Sequence, residues 1–136
     1  GSGEGGKYLV IQEWGVRFPL PEDLRGDIKY GLFTFKDGSE SVYFTSKKIA
    51  EKSTGNNCDL AYSDDSAGKG VSGGTIAVSR SATRPEQIDD RTFQSSSFWY
   101  TLGFSNGGAC YEGDTGQDRG SFNTKITAGI KELQDL

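Results

Sequence analysis

Ile28-Lys29-Tyr30-Gly31-Leu32-Phe33-Thr34-Phe35-Lys36-Asp37-Gly38-Ser39-Glu40-Ser41-Val42-Tyr43-Phe44-Thr45 is the stretch on which the fold turns. The runs Ile28 to Phe35 and Ser41 to Thr45 are rich in β-branched and aromatic side chains. They flank Lys36-Asp37-Gly38-Ser39, whose Asp-Gly pair tolerates the backbone of a tight turn, so the stretch predicts an antiparallel hairpin. Upstream, the apolar run Tyr8-Leu9-Val10-Ile11-Gln12 predicts a strand ended by Glu13-Trp14-Gly15. Val16 and Phe18 alternate with Arg17 up to Pro19, and Pro19-Leu20-Pro21-Glu22-Asp23 forces extended or turn geometry.

Downstream, Ser46 is a suitable cap for two helical turns over Lys47-Lys48-Ile49-Ala50-Glu51-Lys52, which dissolve at Ser53 to Asn57. Asp59 to Gly74 is rich in Asp, Ser and Gly and predicts a long surface loop. Thr75 to Ser79 alternates as a strand, Pro85-Glu86-Gln87-Ile88 predicts the start of a short helix, and Ser97 to Phe104 reads as an aromatic strand. After the Gly107-Gly108 turn, Glu112 to Gly120 predicts another polar loop. From about Ser121, Phe122, Ile126, Ile130 and Leu133 fall on one helical face. Gly129 costs that helix about 1 kcal/mol relative to Ala unless something packs closely there. Together these elements predict an α+β domain, a mostly antiparallel sheet with the C-terminal amphipathic helix packed on one face and one disulfide.

Composition narrows the function classes. The chain has 136 residues, of which Gly1 to Gly6 read as a tag remnant or trimmed linker. Residues 7–136 are expected to form a single, extracytoplasmic domain. With 8 Phe, 6 Tyr and 2 Trp against 33% hydrophobic residues, large rings supply much of the core, and whole-chain disorder is excluded. The net charge of -4, with no basic run longer than Lys47-Lys48, argues against nucleic acid and against an anionic membrane surface. No stretch approaches the roughly 20 apolar residues that span a bilayer. Any export or anchor segment of the natural protein is expected to lie outside this sequence.

Two cysteines, Cys58 and Cys110, lie beside glycines and polar residues such as Asn57, Asp59, Gly108 and Glu112. Two independent buried thiols are one reading; a disulfide, which removes the liability of exposed thiols in an oxidising compartment, suits the polar settings better. Linking them closes a loop of about 50 residues, worth roughly 4 kcal/mol in the chain-entropy account.

The chain has no histidine, which removes Ser-His-Asp and Cys-His catalysis and the usual general base near neutral pH. Gly68-Lys69-Gly70-Val71-Ser72-Gly73-Gly74 precedes a strand rather than a helix, so it is not a phosphate cradle. Glu13 beside Trp14 is the one acid in an apolar sequence context; a structural contact is the simpler role, a catalytic acid the sharper one. Glu112, Asp114 and Asp118 supply oxygens to a predicted loop at 111–120, as calcium prefers, though without EF-hand spacing. A solvated loop is the simpler account of them, and no metal or cofactor is expected. Trp14, Trp99 and Tyr111 are candidate partner-binding aromatics, for exposed rings suit sugars or a protein; packing in a core is the alternative for all three, and the simpler account of Trp99 on its alternating strand.

Tyr8-Leu9-Val10-Ile11-Gln12-Glu13-Trp14-Gly15-Val16, followed by Leu20, Ile28 and Tyr30, resembles the opening of a family of surface domains from Saccharibacteria-type episymbiotic bacteria. In that family a strand ending in Glu-Trp-Gly-Val follows a single N-terminal membrane anchor and a polar linker. A mid-chain cysteine, an aromatic strand, a second cysteine and a C-terminal helix come after it. Here Cys58, Phe98-Trp99-Tyr100, Cys110 and the Phe122/Ile126/Ile130 helix follow in that order. The resemblance implies display on the cell surface, outside the cytoplasm, and favours the Cys58–Cys110 bond. It assigns no reaction, and some members are called pilin-like. The expectation is a non-enzymatic interaction domain for attachment or pilus-like assembly, with a protein or glycan on a cell surface as partner. An envelope carbohydrate-binding or carbohydrate-active domain, with Glu13 as its acid, is the alternative; a ligand-free envelope spacer is a third.

Overall fold

The computed structural model describes residues 7–52, 58–95, 97–104 and 113–136, without the side chains of 104 and 113–119. The hairpin predicted at 28–45 is its spine. Strands β3 (Ile28–Phe35) and β4 (Glu40–Ser46) pair antiparallel from Ile28↔Ser46 to Thr34↔Glu40. Asp37 accepts hydrogen bonds from the Ser39 amide (2.9 Å) and hydroxyl (2.6 Å), and Gly38 turns the chain at φ +89°. A local side chain thus holds the turn while glycine takes the backbone angle that other residues resist.

Around this hairpin seven strands form one antiparallel sheet in the order β5-β6-β3-β4-β7-β9-β8. The others are β5 (Leu60–Asp64), β6 (Gly68–Gly73), β7 (Ile76–Ser81), β8 (Thr92–Ser95) and β9 (Phe98–Phe104). A second sheet joins β1 (Tyr8–Ile11), β2 (Val16–Pro19) and the short β10 (Gln134–Asp135) in the order β1-β2-β10. Helix α1 (Lys47–Lys52) follows β4 directly, and the Ser46 hydroxyl accepts the Ile49 amide as the expected cap. Helix α2 (Gly113–Ile130) packs on β2 and α1.

The core fills the space between the inner face of the large sheet and the layer made by the small sheet and helices. Val42, Phe44, Ile76, Val78, Tyr100 and Leu102 face inward from β4, β7 and β9. Leu9, Ile11, Val16, Phe18, Phe122, Ile126 and Ile130 meet them from the other side. Phe18 and Phe44 close the two layers edge to face at 5.6 Å. The helical face Phe122, Ile126 and Ile130 is buried as its spacing predicts, while Leu133, expected on the same face, is buried beyond the end of the helix. Gly129 is the close approach its position required: a Cβ there would lie 2.6 Å from the Pro19 carbonyl oxygen and 2.9 Å from Phe18 Cδ2.

Three expectations are corrected, and one residue lies in a setting that its sequence neighbours do not suggest. Residues 59–74 are not a loop but the hairpin β5–β6, whose turn is held by Asp65 accepting the Ala67 amide at 2.9 Å. Its glycines, which read as loop composition, let β6 nest against β3. A Cβ on Gly70 would collide with the Leu32 carbonyl oxygen, and one on Gly31 with Val71. Residues 85–88 form no helix, and Ile88 is left 43% exposed with nothing apolar to anchor a turn. Helix α2 begins at Gly113, not near Ser121, so most of the expected 112–120 loop is helical. Once the apolar half is packed, each added residue gains a hydrogen bond without a new nucleus, and poor propensity is overridden. Finally, Cys58 is fully buried among core residues despite its polar neighbours in sequence. Ser53 to Asn57 and Cys110 lie outside the described residues.

Candidate functional site

The residues singled out in the sequence do not converge. Trp14, offered as an exposed platform, is only 6% exposed. It sits in a short 3-10 turn (Gln12–Trp14) that Gly15 ends in the left-handed conformation at φ 64°. Its Nε1 donates to Glu40 Oε1 at 3.1 Å, and the Arg80 guanidinium lies 4.9 Å from its ring. Arg80 also stacks on Phe98 at 4.2 Å and pairs with Glu40 at 3.6 Å. This clamp ties the Glu-Trp-Gly-Val segment to the inner edge of β4 and β7, a structural role that explains Trp14 completely.

Glu13 stands at the surface, accepting the Tyr30 hydroxyl at 3.1 Å, and not in an apolar niche. Burial first, then the Glu13 charge and hydrogen bond, push the Tyr30 phenol upward. Tyr111 and Glu112 lie outside the described residues, as do the side chains of Asp114 and Asp118. The helical backbone at 114 and 118 replaces the loop on which a calcium site was reasoned. Among the described residues no group of three or more His, Cys, Asp or Glu gathers to hold a metal. Nor is any described helix long and apolar enough to cross a membrane.

Trp99 is different. Its neighbour Tyr100 points into the core, so strand alternation places Trp99 on the outer face of the large sheet, half-buried, with Arg84 5.8 Å from its ring. That face carries a groove of about 380 Å³ across β4, β7 and β9. Its floor and walls include Phe35, Ser41, Tyr43, Ala77, Ser79 and Thr101, and among the described residues that line it none is charged. Ladder register puts Ser41 opposite Ser79 and Ser79 opposite Thr101. The Ser41 and Ser79 hydroxyls are 2.8 Å apart, and Ser79 and Thr101 are exposed. Burial raises the Tyr43 phenol, which therefore stays protonated at neutral pH, a donor and acceptor without charge.

Sequence reasoning missed this groove, although its signal is present. In Ser41-x-Tyr43, Ala77-x-Ser79-x-Ser81 and Trp99-x-Thr101-x-Gly103 the residues between are apolar or core-facing. The outer set is small, hydroxylated or aromatic. A second hollow between α1 and α2 is lined by Asp23, Asp27, Lys48, Lys52 and Lys125, with Lys125 paired to Asp23. Its mixed charges give no clear ligand class.

Comparison with protein-family models, curated proteins and solved structures returns no match.

Proposed function

We propose that this is a non-enzymatic interaction domain displayed outside the cell, which engages its partner through the outer face of the seven-stranded sheet. One observation carries the reading: in a chain with 25% charged residues, none of the described residues lining the groove over β4, β7 and β9 is charged. Solvated sheet faces ordinarily alternate apolar-in and polar-out, and here the polar set is made of hydroxyls. A groove of hydroxyls, rings and one neutral phenol is suited to holding a ligand, and offers no carboxylate, ammonium or thiol for moving protons or forming bonds.

Display outside the cytoplasm follows from the resemblance to episymbiont surface domains and from the covalent tie that we propose between Cys58 and Cys110. Support for the tie is that Cys58 is wholly buried, that no described cysteine is a free thiol, and that Cys110 is the one other cysteine in the chain. Attachment is favoured over pilus-like assembly because the groove is small, about 380 Å³, whereas an assembly interface needs a broad complementary patch.

The test is binding of the labelled domain to intact cells and envelope fractions of the native source and its neighbours. Ser79→Arg and Thr101→Arg place cations on exposed outer-face positions; Ser79→Arg also removes the partner of the buried Ser41 hydroxyl. Expected is saturable binding by the parent domain that both folded variants lose, Thr101→Arg keeping the parent melting temperature and Ser79→Arg melting slightly below it. Binding unchanged in both variants would overturn the assignment of this face.

A further inference from the structure

We infer that the groove takes an uncharged polysaccharide chain, laid across the strands and read by a row of hydroxyls. The inference rests on the outer sheet face being the binding surface. Its first support is periodicity. Ser41, Ser79 and Thr101 stand in one register row on three adjacent strands, and Thr92 continues the row on β8. Neighbouring strands are about 4.8 Å apart, so the row presents hydroxyls at a regular interval close to the advance of one sugar ring along its chain. The row is also partly pre-set. Ser41 is only 3% exposed and holds the exposed Ser79 hydroxyl, while Thr92 is anchored on Asp89 at 3.4 Å.

The second support is what flanks the row. Tyr43 and Phe35 stand on the β3–β4 side, and Trp99 stands beside the row two residues before Thr101 on β9, so half-buried rings flank the hydroxylated strip. The C–H face of a pyranose packs on an aromatic face while its hydroxyls reach sideways to partners such as Ser and Thr.

The third support is exclusion by chemistry. Phosphate-, sulfate- or uronate-bearing polymers would bring charge into a groove whose described lining holds no cation, Arg84 lying outside it over Trp99. A peptide that binds by strand addition needs an unpaired strand edge. Here β4, β7 and β9 each have a partner on both sides, so their backbone groups are already paired and side chains alone face the ligand. A neutral polyhydroxyl chain needs only such side chains.

The test uses the whole domain on immobilised cellulose, chitin, β-1,3-glucan and mannan, with alginate as the anionic control. Expected is retention on at least one neutral polymer and none on alginate. Ser79→Arg should abolish retention by placing a long cation in the strip, and Trp99→Ala should weaken it about tenfold, as removal of one well-made ring interaction does, with both variants still folded by circular dichroism. Retention on no neutral polymer, preference for alginate, or retention indifferent to both substitutions would overturn the inference. The envelope assay separates the two levels. If envelope binding is lost in Ser79→Arg but soluble fragments of these polymers never compete with it, the glycan fails and the face stands. If envelope binding survives Ser79→Arg, both fall.

Discussion

Gly120 and Gly129 sit on the same helix and should answer an alanine in opposite senses. In an exposed helical position Gly→Ala gains about 1 kcal/mol by reducing the freedom of the unfolded chain and adding helix propensity. Gly120 is exposed, and a Cβ there meets nothing within 4 Å, so Gly120→Ala should gain that full amount. For a domain of this size about 1 kcal/mol moves the melting midpoint by about 4 °C. At Gly129 the same Cβ would stand 2.6 Å from the Pro19 carbonyl oxygen and 2.9 Å from Phe18 Cδ2. Neither neighbour gives way cheaply. Pro19 is paired with Tyr8 in the β1–β2 ladder, and Phe18 is fully buried edge-on against Phe44. Overpacking of this kind costs about 3 kcal/mol, which exceeds the propensity gain and leaves Gly129→Ala about 2 kcal/mol less stable than the parent. The two variants should therefore melt roughly 12 °C apart in parallel calorimetric or circular dichroism scans. If Gly129→Ala melts above the parent, α2 does not lie against β2 as described, and the packing argument fails.

Arg80→Ala should cost about 1–2 kcal/mol by urea denaturation, because it removes the stacks on Trp14 and Phe98 and leaves Glu40 held only by the Trp14 indole. Arg80→Lys should recover only part of that loss, and full recovery would reject the fork geometry. Asp59 is subject to two opposed influences. Burial raises its pKa, but the Lys29 ammonium at 2.6 Å and the Leu60 amide more than offset it, and the carboxyl ends below its ordinary value of 3.8. A depressed carboxylate stabilises above its unfolded pKa and stops doing so as pH falls through the folded one. Asp59→Asn should thus lower stability at neutral pH, by less than about 1 kcal/mol for so solvated a pair, and converge with the parent in acid. A gap that widens in acid would reject this sign. Reduction of the proposed Cys58–Cys110 bond should lower stability by about 4 kcal/mol and add the mass of two hydrogens. An unchanged intact mass after reduction would remove the bond and with it the main physical support for an oxidising location.

Several features were legible in the residues alone because their causes are local. The hairpin at 28–45 follows from side-chain type and an Asp-Gly turn, and the cap at Ser46 from a hydroxyl before a helical run. The apolar face of α2 follows from spacing, and even the need for a neighbour at Gly129 could be stated before that neighbour was known. Trp14 was read in both senses, and the Arg80 and Glu40 that bury it come from distant strands.

What sequence could not supply was set by contact between distant segments. Glycine reads as loop wherever it stands, yet Gly31 and Gly70 make a strand possible by letting two backbones approach. Gly113 to Gly120 reads as a loop for the same reason, yet it is the start of a helix whose stability is set farther along. The groove is the clearest case. Ser41, Ser79 and Thr101 are ordinary outward residues on three separate strands, and only the order β4-β7-β9 and its register bring their hydroxyls into one row. Local chemistry decides which strands and helices can form, because propensity, capping and turn geometry act over a few residues. Which of their faces meet, and so where a ligand could rest, is decided by pairing and packing, whose energies exist only once the chain has folded.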